Sequence, residues 1–488
     1  MHLLVLANIG NSDLIADSRR LQRPRADGEA AWQTFERHTF ETPIIEPCVR
    51  WIIGRNGRID RLILFYTDQP ATPETLKPDR SGMSLRDKDT LWYARIIERL
   101  LRERFGDRIG HLECQAIRRI DGRNINPSIY DEAFDAYAGL VAPLVDAQTT
   151  CYVLMAGGIP ACNTALQLNA ISAFGDRCRV VYQPEGGQPY DLRVGDQVLN
   201  VFRRATAIDA LERLDFATAL PLVRQVADGA VAALVAYAHY RECFDFERAQ
   251  TTLSHGIRQA SGELRSFLAN LEHDLDPLML RSDIDALLRE LVANATITFR
   301  NGRYADFLGR LFRFQEAALR FIIETKLGLP TDMSKERKAT NLPEYRQRID
   351  ADPGLKAWLD ARTIDGTPLR YDTPNIPTLQ AMLDYLIDPA SVKPDGAPYL
   401  PKDERGRLTG VKQRLDKITS LSQLRNQSVI AHGFAGVSRE RLAEVYGGDP
   451  DALIADLREI VKLLGLSAQE SPFEQIAGIA IEQLRHLT

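Results

Sequence analysis

The sequence predicts an N-terminal α/β domain built on a parallel, doubly wound sheet, followed by two all-α regions. Two observations carry this. Over residues 1–204, short apolar runs that end in polar turns alternate with segments of helical spacing, the pattern of strands joined by crossover helices. After residue 204 the apolar residues recur at helical spacing almost throughout. The expected division is an α/β domain at 1–204, a helical connector at 205–294 and a helical domain at 295–488.

In chain order, residues 2–7 (HLLVLA) read as a buried strand running into Asn8, Ile9, Gly10, Asn11, Ser12 and Asp13, a polar turn containing glycine. Residues 61–66 (RLILFY) repeat the pattern and end in Thr67, Asp68, Gln69 and Pro70. Residues 90–105 are helical, with Leu91, Ala94, Ile97, Leu100 and Leu101 on one side. A strand at 111–117 and a helix at 129–145 follow. Residues 150–155 (TCYVLM) predict a central strand, followed by Ala156, Gly157, Gly158, Ile159 and Pro160. A helix at 163–174, a strand at 179–183 and an edge strand at 194–202 complete the domain. Ligands of such sheets sit beyond the carboxyl ends of the strands. Gly157 and Gly158 would admit a close backbone approach, and the helix start that follows favours an anion.

In the connector, Leu211, Leu214, Ala217, Leu220, Val223 and Val226 keep helical spacing, and Phe244-Asp245-Phe246 opens another helix. Residues 304–327 predict a long amphipathic helix with Phe307, Leu308, Leu311, Phe314, Ala318, Phe321 and Ile322 as its apolar stripe. Residues 354–407 are rich in Pro, Gly and Asp and read as loops around one short helix at 378–387. Residues 412–432 read as one helix or a pair, with Val411, Leu415, Ile418, Leu421 and Leu424 inward and Ser420 or Ser422 as a cap. Helices at 442–464 and 472–487 close the chain, and no repeat of fixed period stands out.

The net charge of −5 excludes a general basic nucleic-acid coat. Basic residues are instead concentrated locally: residues 300–348 hold eleven Lys/Arg against six Asp/Glu, and residues 402–433 hold seven against three. Such islands would attract a polyanion. The six cysteines form no C-x-x-C pair and have no histidines clustered near them, so neither a disulfide framework nor a zinc site is expected. Phosphate-loop, dinucleotide, zinc-protease and nucleophile-elbow motifs are absent from the sequence. No apolar run reaches membrane-spanning length, and the cytoplasm is the default location.

The chemistry-bearing stretch is Arg425, Asn426 and His432, followed by Gly433. Seven residues are about two helical turns, so a helix would present Arg425 and His432 on nearly one face, with Gly433 marking its end. Arginine offers a permanent planar cation suited to phosphate. Histidine exchanges protons near neutral pH. Asn426 could orient the histidine or hold a phosphate. Together these suit phosphodiester cleavage without a metal. Glu316 is a weaker candidate for a supporting carboxylate.

These features, taken in order, resemble the CRISPR type III-A (Csm) associated ribonucleases that join a CARF sensor domain to a HEPN nuclease domain. The resemblance rests on the Asn8–Asp13 and Thr67–Pro70 turns, Gly157-Gly158-Ile159-Pro160, Phe244-Asp245-Phe246, and Arg425-Asn426 with His432-Gly433-Phe434. It implies a Rossmann-like CARF domain, a helical connector and a HEPN domain. It also implies a homodimer that needs no stable partner protein, in which two Arg425/His432 pairs, with Asn426, form one site for single-stranded RNA. A cyclic tetra- or hexa-adenylate would bind at Asn8, Gly10, Asn11, Ser12, Gly157, Gly158, Ile159 and Asn163 and activate cleavage from a distance. No metal or other cofactor is implied. Many members carry threonine where this chain has Ile159, which removes a hydroxyl contact and puts self-cleavage of the activator in doubt; Ser12 or Thr164 is the possible substitute.

Three other readings compete. One is a non-catalytic cyclic-nucleotide sensor controlling a helical interaction domain, with Arg425 and His432 structural. A stand-alone toxin held by a partner leaves the large α/β domain unexplained. A transcription factor would need a helix-turn-helix, and none is evident.

Overall fold

The computed structural model describes residues 2–155, 157–184, 186–280, 283–364, 366–466 and 471–487. The chain divides into two compact units, Met1–Phe202 and Arg203–Thr488.

The first unit is built on a six-stranded sheet: β1 (His2–Asn8), β2 (Ile59–Tyr66), β3 (Ile109–Ala116), β4 (Thr149–Met155), β5 (Cys178–Tyr182) and β6 (Tyr190–Leu192). The spatial order is β3-β2-β1-β4-β5-β6. The first five strands are parallel, and β6 returns antiparallel to β5. Crossover helices cover both faces: α1 (Pro24–Gln33), α2 (Ile45–Asn56), α3 (Leu91–Phe105), α4 (Tyr130–Val141) and α5 (Pro160–Phe174). The alternating side chains of β1 explain its continuous apolar run. Leu3, Val5 and Ala7 enter the core with α2 and α3. Leu4 and Leu6 enter the opposite core with α4 and α5. Because β1 has its sequence neighbour β2 on one side and β4 on the other, the strand order reverses between β1 and β4. The carboxyl ends of those two strands therefore open a crevice, the usual ligand position in this architecture.

The edge differs from expectation. Residues 194–202 are helical, lying in α6 (Val194–Glu212), and the edge strand is β6. Val194, Val198 and Phe202 stand four apart, a helical interval rather than a strand's period of two. Helices α1 and α2 were missed in the sequence, although Ile45, Val49, Ile52 and Ile53 of α2 are buried at helical spacing.

Among the described residues, the regular structure of the second unit is helical apart from the hairpin Thr363–Ile364/Thr367–Pro368. Its helices α7 (Phe216–Val226), α8 (Gly229–Glu242), α9 (Phe246–Gln259) and α11 (Ile284–Arg300) each start at an aspartate, Asp215, Asp228, Asp245 or Asp283, whose carboxylate accepts a first-turn N–H. One turn geometry recurs. Leu214, Phe244 and Gly302 each have a left-handed backbone. In each case this residue bonds back three residues, and the next bonds back five. That closes the preceding helix with a Schellman turn, and the stripe expected across 211–226 is thereby split between α6 and α7.

Two hydrophobic cores result. One gathers α6 to α9, α10 (Gly262–Met279) and α20 (Pro472–His486). The other gathers α11, α12 (Tyr304–Leu327), α13 (Lys338–Asp350), α14 (Pro353–Asp360), α15 (Ile376–Ile387), α16 (Lys402–Ser420), α17 (Ser422–Gln427), α18 (Arg439–Tyr446) and α19 (Asp451–Leu463). The region 354–407 is thus more helical than its composition suggested, because the Asp352 side chain caps α14 and α16 begins at Lys402. Residues 442–464 do not form one helix, since Gly447, in a left-handed conformation, ends α18.

Candidate functional site

In the first unit the crevice is a cavity of about 820 Å³. Its walls include Asn8 to Ser12 after β1, Thr67 after β2, Gly157 to Pro160 after β4, and Ile15 and Arg20 of a small antiparallel sheet (Ile15–Ala16, Arg19–Arg20, Phe40–Glu41). The α5 N-terminus, at Pro160, borders it, and no acidic residue stands in that first turn.

The two glycine turns touch backbone to backbone. A Cβ at Gly10 would lie 1.8 Å from the Gly158 nitrogen, so no other residue fits there without moving the turns apart. Gly158 has φ +109°, outside the range of ordinary L-residues. Both glycines are thus required by the packing of the two turns, before any ligand arrives. Asp13 ties the same turns together. Its Oδ2 accepts the Gly10 N–H at 2.6 Å and its Oδ1 accepts the Gly157 N–H at 3.4 Å. Fully buried, this carboxyl is pushed up to about 7, because burial outweighs its two backbone donors.

Asn8 is also committed to structure. Its Nδ2 donates to Asn163 Oδ1 (2.9 Å), the Tyr137 hydroxyl donates to its Oδ1, and Asn163 Nδ2 donates to the Gly157 carbonyl (3.3 Å). Asn8, Gly10, Asn11, Ser12, Gly157, Gly158 and Ile159 line the cavity, whereas Asn163 is not on its wall. The Thr67–Pro70 turn is braced by Asp89, whose carboxylate accepts the Gln69 N–H (2.7 Å) and an Arg25 guanidinium N–H (2.7 Å).

In the second unit, Gln315 of α12 donates to the Leu415 carbonyl (3.1 Å) and to Thr419 Oγ1 (2.6 Å) of α16. Val411, Leu415, Ile418, Leu421 and Leu424 are all buried as expected. These anchors bring Arg425 to the surface of α12. There its guanidinium carbon lies 4.4 Å from the centre of the Phe312 ring. Its Nε and Nη2 both donate to Asn426 Oδ1, at 3.1 and 2.9 Å.

The single-helix expectation for Arg425 and His432 does not hold. Helix α17 ends at Gln427, and Ser428 has extended backbone. The intended cap fails too, because the α17 N-cap is Leu421 and Ser420 Oγ donates to the Lys417 carbonyl. The chain instead loops back on the helix end. The His432 N–H donates to the Asn426 carbonyl (3.4 Å), and the Ala435 N–H donates to the Gln427 carbonyl (2.8 Å). Gly433 is needed for that closure, since a Cβ there would stand 2.0 Å from the Gln427 oxygen. The backbone of His432 thus returns to that of Asn426, by a reversed loop rather than by helical period. His432 is exposed, as are Val429 and Phe434, the latter 97%. Glu316 has both oxygens taken, by Arg313 (3.0 Å) and Arg320 (3.0 Å).

Asp13 and Phe312 do not stand out in the sequence as site residues. Asp13 closes the Asn8–Asp13 turn and was visible as its acid. Phe312 was visible only as one more apolar residue of α12. Among the described residues, no three His, Cys, Asp or Glu side chains gather as a metal site, and no helix is long and apolar enough to cross a membrane.

Comparison with known proteins adds two findings. Residues 280–476 match the family described as the Cas_Csm6 HEPN domain. Among solved structures, Enterococcus italicus Csm6 bound to cyclic hexa-2′-fluoro-hexa-dAMP superposes with a TM-score of 0.51 at 12% identity, over 99% of this chain and 100% of that one. At that identity the likeness establishes a shared fold. No curated protein matches the chain.

Proposed function

We propose, from the match of residues 280–476 to the Csm6 HEPN domain family and from a fold shared with Csm6, that the chain is a Csm6-like CARF–HEPN protein and a CRISPR-associated endoribonuclease switched on by a cyclic oligoadenylate. The observation that carries this is the Arg425 guanidinium, gripped by Phe312 and Asn426 beside the loop that presents His432, inside the matched segment.

RNA supplies its own nucleophile, the 2′-hydroxyl. Attack on the adjacent phosphorus breaks the bond to the 5′-oxygen, leaving a 2′,3′-cyclic phosphate and a 5′-hydroxyl. His432 exchanges the protons this requires, an effect of about 10²- to 10⁴-fold. Arg425 meets the charge that builds on the phosphorane. Asn426 works through Arg425, because its carboxamide oxygen is spent on the guanidinium. On this reading the reaction needs no metal. Two copies of the chain would supply two Arg425/His432 pairs to one site, as cytoplasmic antiviral defence.

In the first unit the cavity of about 820 Å³ suits part of a four- or six-membered adenylate ring. The activator would lie against the backbone of the glycine turns, whose Gly10 and Gly157 N–H groups are held by Asp13, and against the Asn11 and Ser12 side chains. The test is cleavage of a fluorogenic single-stranded RNA with EDTA present, across cyclic and linear oligoadenylates. Stimulation by one cyclic species is expected, with His432→Ala and Arg425→Ala each losing about 10²-fold or more. Intact cleavage in either variant rejects the site. Silence of the unmodified protein with every activator favours the non-catalytic sensor.

A further inference from the structure

Arg425 is held on two sides by groups of its own chain. The Arg425 guanidinium carbon stands over the Phe312 ring, 4.4 Å from its centre. Asn426 Oδ1 takes the Nε–Nη2 edge with two hydrogen bonds. Neither bond to Asn426 uses Nη1. A cation on an aromatic face is attracted by the ring quadrupole, and Phe312 is itself fixed, being 6% exposed and packed in the core around α12. The neighbouring turn of α12 contributes as well, since Ile430 of the motif loop packs against Gly309.

We propose that Phe312 is a positioning residue for the nuclease site: its ring and Asn426 fix the Arg425 guanidinium in advance, so that the Nη1 edge is presented to the scissile phosphate. This rests on the nuclease reading above. A side chain as long as arginine loses rotamer freedom when it binds a phosphate. Held beforehand, it meets the developing phosphorane charge with no reorganisation at the moment of reaction. Phe312 never touches the RNA on this account. Its loss therefore lowers kcat rather than weakening substrate capture.

The test uses the full-length protein. Phe312→Leu keeps an apolar side chain in the core and is expected to retain Tm within a few degrees, while kcat falls about 10- to 100-fold and KM changes by less than about twofold. Phe312→Tyr, which keeps an electron-rich face, is expected to retain kcat. The deciding series places mono-, di- and trifluorinated phenylalanine at position 312. Fluorine drains the ring face with little change of shape, so kcat should fall stepwise. A flat series means the ring only fills space and overturns the proposal. An independent readout is the Arg425 Nε–H resonance, assigned with Arg425→Lys. It should be displaced by the ring current and move toward its free position in Phe312→Leu; an undisplaced resonance also overturns the proposal. If the unmodified protein cleaves no RNA with any activator, the nuclease reading fails, and the resonance still reports on the stacking.

Discussion

Asp13 shows how much one side chain contributes to the first unit. Its carboxyl is enclosed beside the cavity of the first unit, holds two turns by their N–H groups, and is pushed up to about 7 by burial. The neighbouring Cys48 thiol, raised to about 12 by burial, stays neutral alongside it. Between the ordinary carboxyl range and about 7, the folded chain keeps a proton that the unfolded chain has released. Stability contributed at acid pH is therefore lost as pH rises through about 7. Thermal unfolding from about pH 5 to about pH 8 should show Tm falling with pH, and Asp13→Asn should flatten that slope. A phosphodiester ligand in the same cavity would further favour the neutral carboxyl. Titration of the cyclic activator should then give several-fold tighter binding near pH 6 than near pH 8, with the difference abolished in Asp13→Asn. Equal affinities at both pH values would mean that the ligand does not sense this group.

At the scale of elements, the loop closing α17 is the sharpest case of close packing. Gly433 accepts no Cβ because the chain reverses onto Gln427. Gly433→Ala is therefore expected to push His432 off the end of α17 and cut RNA cleavage at least about tenfold, with Tm only slightly lowered because the loop lies outside the buried core. Unchanged cleavage in that variant would show that loop closure does not set the histidine. The same loop marks the limit of what the sequence reveals. The parallel strands were readable because buried strands are continuous apolar runs, and α12 was readable to the residue because its stripe is long and uninterrupted. The path of 428–435 was not, because it depends on carbonyls of α17 that receive N–H groups from across the turn. Arg425, Asn426 and His432 could be selected for their chemistry, yet the return of residue 432 to residue 426 comes from chain reversal and not from period. Phe312 was hidden for a related reason: a ring that fills a core and a ring that faces a cation have the same spacing along a helix.

Over the whole molecule, two buried charges bear on folding. Arg241 and Glu290 join α8 to α11 with three hydrogen bonds of 2.8–3.1 Å, and Tyr237 donates no competing charge while accepting the Arg241 Nη1–H at 2.6 Å. Removing one partner strands the other in the core, so Arg241→Ala should cost about 3–5 kcal/mol in urea unfolding. Arg241→Met paired with Glu290→Leu should recover most of that loss. Nearby, α20 carries the C-terminal residues back to that region, with Phe473, Ile476, Ala477, Ala480 and Leu484 buried beside α6 to α10. The segment that matches the Csm6 HEPN family stops at residue 476, inside this helix. The edge of the family match and the edge of the packed core are therefore different. A fragment excised at 280–476 would carry Phe473 and Ile476 without the helices that cover them, and would expose a sticky apolar strip where the intact chain has a sealed core. Transplanting the matched segment into another protein would call for the connector helices and the residues of α20 as one inseparable piece.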